Sequence, residues 1–181
     1  MDTTLIIAIV VVAVIVLLAV GAYMLMRQRE SSRLRERFGP EYDRTVEEAG
    51  GRRDAERELS ERTQRVEKLR LREIEPDQRS AFAEAWRSTQ TRFVDDPAKA
   101  IDEADSLVQR VMDSRGYPIS NFEQQAADIS VDHPEVVTNY RAAHTIAMNS
   151  AHGEATTEDL RQAMVHYRAL FSELLGAAPV I

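Results

Sequence analysis

Residues 5–26 read LIIAIVVVAVIVLLAVGAYMLM, twenty-two consecutive positions without a charge. As a helix rising 1.5 Å per residue this run spans roughly 33 Å, which matches a bilayer hydrocarbon core of about 30 Å. Val and Ile dominate it and would favour a strand in water. In lipid, however, a single segment must satisfy its own backbone hydrogen bonds, so a helix is expected. A soluble core helix of this length would show a polar face, and none is present before Arg27. A cleaved signal peptide would want a basic leading segment and a shorter apolar stretch, whereas residues 1–4 carry Asp2 and no Lys or Arg.

The flanks suggest an orientation. Arg27, Arg29, Arg33, Arg35 and Arg37 crowd the C-terminal side, and no basic residue precedes the run. The bias of Lys and Arg towards the cytoplasmic side predicts the N-terminus outside and the remainder of the chain inside, in the cytoplasm, with Tyr23 as an interfacial anchor. The lipid bilayer is thus the first expected partner. The arginines have two readings, as ligands for anionic headgroups or as a topology signal alone. Glu30 and Glu36 lie among them and favour the second.

All 23 Lys and Arg, and 29 of the 30 Asp and Glu, follow residue 26, so residues 27–181 have a net charge of −6. That balance argues against nucleic acid as a partner. Cysteine is absent, which excludes disulfides, thiolate nucleophiles and Cys-ligated metals.

Residues 27–75 hold 14 basic and 13 acidic side chains and read as a charged, helical juxtamembrane stalk with hinges at Phe38-Gly39-Pro40 and Gly50-Gly51. Its second piece, residues 52–73, places Leu59, Val66 and Leu69 at spacings of seven and three, a fragment of a heptad. Arg62 and Glu73 fall on the same seam and weaken it. A homo-oligomer paired through the stalk is one reading, and a solvated helix held by Glu–Arg pairs is the other.

Residues 76–176 carry clear helix starts, stops and apolar stripes. Phe82, Trp86, Thr89 and Phe93 share a face; Asp95-Asp96-Pro97 opens the stripe Ile101, Ala104, Leu107, Val108, Val111, Met112, and Gly116 closes it. Ser120 and Glu123 have capping-box spacing ahead of Phe122, Ala126 and Ile129. After Asp132-His133-Pro134 come Val137, Tyr140, Ala143, His144, Ala147 and Ala151. Thr156 and Asp159 then introduce Leu160, Met164, Tyr167, Phe171 and Leu174, and Gly176 ends the run. The predicted fold is all-α: a transmembrane helix, a charged helical stalk and an antiparallel helical bundle. Short tails at 1–4 and 177–181 complete it.

No chemistry-bearing motif stands out. The residues three before His133, His144, His152 and His166 are Ser130, Arg141, Asn149 and Ala163, so the Glu-x-x-His of carboxylate di-iron bundles is missing. Asp95, Asp96, Asp102, Glu103 and Asp105 lack the alternation of a calcium loop, and capping accounts for most of them. No GxSxG elbow or glycine-rich phosphate loop occurs. Catalytic residues, metal and cofactor are therefore each expected to be none. His144 is expected to hydrogen-bond at the edge of the core, and Tyr117 to make a helix-ending apolar contact.

Phe93-Val94-Asp95-Asp96-Pro97, Arg115-Gly116-Tyr117-Pro118, Ser130-Val131-Asp132-His133-Pro134 and Thr157-Glu158-Asp159-Leu160-Arg161 resemble stretches of an uncharacterised family of bacterial membrane-anchored helical proteins. The resemblance covers roughly residues 82–175. It implies a bacterial inner-membrane setting and brings no activity, cofactor or site residue. The expectation is a single-pass protein with an unknown protein partner, acting as a binding or scaffolding module. The alternative is a ligand-binding or enzymatic bundle with a site assembled from His144, Tyr140 and Tyr167.

Overall fold

Proline and glycine divide the chain into helices, as their backbone chemistry requires. The computed structural model describes the backbone of residues 3–176 and the side chains of residues 12–176. Among these residues there are eight helices and no strand: α1 (Thr3–Phe38), α2 (Pro40–Glu48), α3 (Arg52–Val66), α4 (Pro76–Arg92), α5 (Pro97–Arg115), α6 (Phe122–Asp132), α7 (Pro134–Ala151) and α8 (Thr157–Leu175). Four of the eight start on proline, where the missing N–H removes no helical bond and the fixed φ suits the first turn. Of the expected N-terminal tail, Met1 and Asp2 lie outside the described residues, and Thr3 and Thr4 already belong to α1. The expected tail at 177–181 also lies outside them.

The chain forms two compact units, Met1–Arg37 and Phe38–Ile181. In the first, α1 is unbroken for 36 residues. It is the one described helix long and apolar enough to cross a membrane. Its large apolar side chains from Val12 to Met26 are all exposed, Leu17 by 71% and Leu18 by 69%.

The second unit is built on α4 to α8. α8 packs on α7 and α5, α5 also on α4, and α7 also on α6. The apolar stripes read from the sequence turn inward here: Ile101, Ala104, Val108, Val111 and Met112 are fully buried, as are Val137, Tyr140, Ala143, Tyr167 and Phe171. Trp86 stacks on Phe171, with centroids 4.7 Å apart and planes at 19°, so α4 is tied to α8 by two fully buried rings. Asp96 caps α5 by accepting from the Lys99 N–H, and Thr156 with Asp159 completes the capping box of α8. The cap of α6 is shifted by one from the expected Ser120: Asn121 accepts from Gln124 N–H at 2.9 Å. Its amide side chain fills the same role as the serine hydroxyl. Tyr117 is buried as expected.

Residues 38–75 differ from the free stalk that their composition predicts. They belong to the second compact unit, with α2 against α7 and α3 against α6. The buried face of α3 is Ala55, Leu59, Arg62 and Val66, which includes three of the positions read as a heptad seam, Leu59, Arg62 and Val66. While α3 is docked this way, the seam is not exposed for pairing protomers. The helix also ends at Val66 rather than continuing to residue 73. From there the backbone runs non-helically to Pro76, with Leu69 and Leu71 partly buried against the core and Ile74 buried in it. Arg72 donates its N–H to Arg115 O at 3.0 Å and its Nε–H to Ser114 O at 2.7 Å. The strap thereby satisfies carbonyls left open at the end of α5. Local helix propensity yields to these tertiary contacts.

Candidate functional site

The densest polar chemistry among the described residues lies where α2 and α3 meet α6 and α7. Glu41, one residue into α2 behind Pro40, is 2% exposed. An isolated carboxylate there would be costly, since burial strips its water. Its Oε1 accepts from Arg141 Nη2 at 2.9 Å, Arg62 Nη1 at 3.0 Å and Arg44 Nη1 at 3.1 Å. These arginines come from three helices, α7, α3 and α2 itself. Arg141 also holds Glu123 at 2.7 Å, Arg44 holds Glu48 at 2.7 Å, and Arg62 holds Glu58. Beside them Arg65 of α3 reaches buried Asp128 of α6 with Nε at 2.8 Å and Nη2 at 2.7 Å, and Gln124 donates to the same carboxylate.

The four arginines, Arg44, Arg62, Arg65 and Arg141, border an open cleft of about 280 Å³, with the buried carboxylates of Glu41 and Asp128 behind them. Each arginine in it is already engaged by a carboxylate, and arginine stays protonated throughout the ordinary pH range. Burial pushes the Glu41 carboxyl up, but hydrogen bonding and charge from Arg141, then from Arg44, outweigh burial and leave it below its usual value. Neither partner is poised to exchange a proton near neutral pH. What the cluster does chemically is fasten four helices.

Its neighbour is an aromatic stack. The Phe122 ring lies 3.6 Å from the His144 ring, nearly parallel at 8°, and 4.9 Å from the Tyr140 ring. Arg141 sits 6.0 Å from the Phe122 centroid on its way to Glu41. His144 thus meets the core edge through a ring stack, where a hydrogen bond was expected. Tyr140, fully buried, donates to Gln125 at 2.8 Å, and Tyr167, also fully buried, donates to Asp105 at 2.9 Å. Burial first, and then the nearby Asp105, raises both phenols. His144 and Tyr140 thus share the Phe122 ring, Tyr167 is bonded to Asp105, and both tyrosines are fully buried.

The other titratable groups read from the sequence are dispersed. His133 contacts Glu173 at 2.9 Å, His166 contacts Asn139 at 2.8 Å, and His152 bonds Met148 O at 2.8 Å. Of the acidic group, Asp96 caps α5, Glu103 pairs with Arg92 at 3.1 Å, and Asp105 accepts from Gln109 as well as Tyr167. Tyr23 and all five flanking arginines, Arg27, Arg29, Arg33, Arg35 and Arg37, are exposed on α1.

Sequence reasoning missed Glu41, Arg141 and Asp128 altogether and read Arg62 as a flaw in a seam. The one available signal was Arg62 itself, a charge at a position whose neighbours at i−3 and i+4, Leu59 and Val66, are apolar. Its partner lies 21 residues away and Arg141 lies 100 residues from Glu41, so no local pattern announces the cluster. Compared with known protein families, with curated proteins and with solved structures, the chain matches none.

Proposed function

We propose that this protein is a single-pass membrane protein that displays a bundle of antiparallel helices as a protein-binding or scaffolding module at the bacterial cytoplasmic membrane, with its N-terminus outside. The observation that carries the anchor is α1, whose apolar side chains from Val12 to Met26 all lack cover within the chain. Water penalises each such side chain by about 1.5–3 kcal/mol relative to burial, and a bilayer removes that penalty. The arginine flank supports the orientation, and the resemblance around Phe93 to Pro97 supports the bacterial setting. Tethering raises the effective concentration of a surface for other membrane components, which suits a module whose arginines and carboxylates are spent on mutual fastening. Exposed apolar side chains on the helical unit, Val94 at 82%, Ile119 at 54% and Met148 at 48%, are the first positions to probe for a partner.

The test places a photocrosslinking residue at Val94, Ile119 or Met148 in the intact protein in cells. Discrete adducts from the membrane fraction are expected, lost when residues 5–26 are replaced by a soluble leader. Recovery of the unprocessed chain in high-speed supernatants, or adducts indifferent to the anchor, would overturn the proposal. A C-terminal reporter active only outside the cytoplasm should stay silent.

A further inference from the structure

We infer that Arg29 and Arg33, with Arg27 at the same headgroup depth on the opposite side of the helix, bind the phosphate headgroups of anionic phospholipids, an inference that rests on α1 crossing a bilayer. The decisive feature is that the helix does not stop at the end of its apolar run. It continues without a break to Phe38, so the arginines keep a fixed depth and a fixed face relative to the hydrocarbon. Taking Met26 as the apolar edge, Arg27 lies about 1.5 Å, Arg29 about 4.5 Å and Arg33 about 10.5 Å further along the axis. The headgroup layer on each side is about 5–7 Å deep. Arg27 and Arg29 therefore stand within it. Side chains of a helix lean towards its N-terminus, which in α1 is the apolar end, so Arg33 reaches back to the same layer. Arg35 and Arg37 lie about 3 Å and about 6 Å beyond Arg33 along the axis, outside that layer, and are left out on that ground.

Leu25, Arg29 and Arg33 follow at intervals of four and share one face of the helix. Together with Gln28 and Ser32 they line a shallow cleft of about 510 Å³. An apolar residue stands at its membrane end, and beyond it neutral polar side chains alternate with two guanidinium groups in the order Gln28, Arg29, Ser32, Arg33. That order suits an amphipathic phosphate ester lying along the helix, with its acyl chain beside Leu25 and its phosphate between the guanidiniums. Guanidinium takes phosphate oxygens in pairs, a geometry that the ammonium of lysine lacks. Arg27, Arg29 and Arg33 are all exposed. An arginine flank that serves orientation alone requires no headgroup preference, which separates the two roles experimentally.

The test uses the full-length chain reconstituted into vesicles of phosphatidylcholine, probed with spin-labelled phosphatidylglycerol and spin-labelled phosphatidylcholine, and compared with the triple variant R27Q/R29Q/R33Q. The native protein is expected to favour phosphatidylglycerol on the order of fivefold, with the preference shrinking as salt rises from 0.05 to 0.5 M. The triple variant, with unchanged helicity by circular dichroism, is expected to lose the preference. Equal affinity for both lipids in the native protein overturns the inference, and so does a preference that survives in the triple variant. Flotation with pure phosphatidylcholine vesicles is measured alongside. Failure to float would bring down the membrane reading itself, whereas flotation without selectivity removes the headgroup site and leaves the anchor standing.

Discussion

Gly116 stands at φ +92°, and a Cβ placed there would lie 2.9 Å from the carbonyl oxygen of Arg70. Two separate penalties meet at this residue. A side chain in the left-handed region costs about 1–2 kcal/mol, and here it also collides with backbone that cannot swing away. Gly153 has a similar φ of +74° with nothing within 4 Å, so it bears only the first penalty. Gly116→Ala is expected to lower unfolding stability by about 2–4 kcal/mol and Gly153→Ala by about 1 kcal/mol. Chemical denaturation of the two variants in the same detergent checks the ranking; equal losses would show that the strap does not press on the α5 terminus. The sequence identified Gly116 as a helix stop, but the carbonyl that crowds it belongs to a segment 46 residues earlier in the chain and could not be read locally.

At the scale of elements, α2 and α3 are attached by buried ion pairs in addition to apolar burial. The main core draws its side chains from α4 to α8 with Ile74 and Tyr117. Phe38, Tyr42, Ala55, Leu59 and Val66 are buried apart from it, as are Ala127 and Val131 of α6, and the ion pairs of Glu41, Arg62, Arg65, Arg141 and Asp128 add polar links onwards to α6 and α7. Removing one partner of a buried pair leaves the others desolvated, at a cost of roughly 3–5 kcal/mol. Glu41→Gln should therefore destabilise the protein by about that amount at neutral pH, whereas Glu58→Gln, at a half-exposed position, should cost under about 1 kcal/mol.

The pH dependence has a definite sign. The Glu41 carboxyl titrates lower in the folded chain than the ordinary 4.5, so its contribution is complete above that value. It erodes as the pH falls and is gone once the pH drops below the folded pKa. The stability gap between the native protein and Glu41→Gln is thus expected to be widest at pH 7 and to narrow steadily below about pH 4.5, as followed by denaturation midpoints. A gap unchanged at pH 3 would mean that charge is not what holds α2. Leu59 and Val66, read as a pairing seam or one side of a solvated helix, lie on a face of α3 that is buried within the chain. What it is buried against, α6 rather than a second protomer, depended on Arg65 and Asp128, 63 residues apart.

For the whole molecule, the unit Phe38–Ile181 contains every described helix except α1. A fragment starting at residue 38 is expected to be water-soluble, helical and cooperative in unfolding without detergent. It is also expected to be monomeric, because the seam of α3 is occupied from within. Sedimentation of that fragment at high concentration checks the last point, and dimers abolished by Leu59→Arg at retained helicity would restore the stalk as a pairing device. A fragment starting at residue 76 should behave differently. It loses Ile74 and the strap over α5, and leaves Asp128 and Arg141 without their partners on α3 and α2, so reduced stability or aggregation is expected.

Helix positions and inward faces of α4 to α8, with the caps of α5 and α8, were determined by the sequence alone, because proline, glycine, capping side chains and apolar periodicity act within a few residues of one another. The uncharged run at residues 5–26 was determined in the same way, by length and composition. Where α2 and α3 dock, why α3 stops at Val66, and which charges are buried were decided only by the tertiary structure. A guanidinium finds its carboxylate across any separation in the chain, and a charged residue looks the same in sequence whether it faces water or a partner.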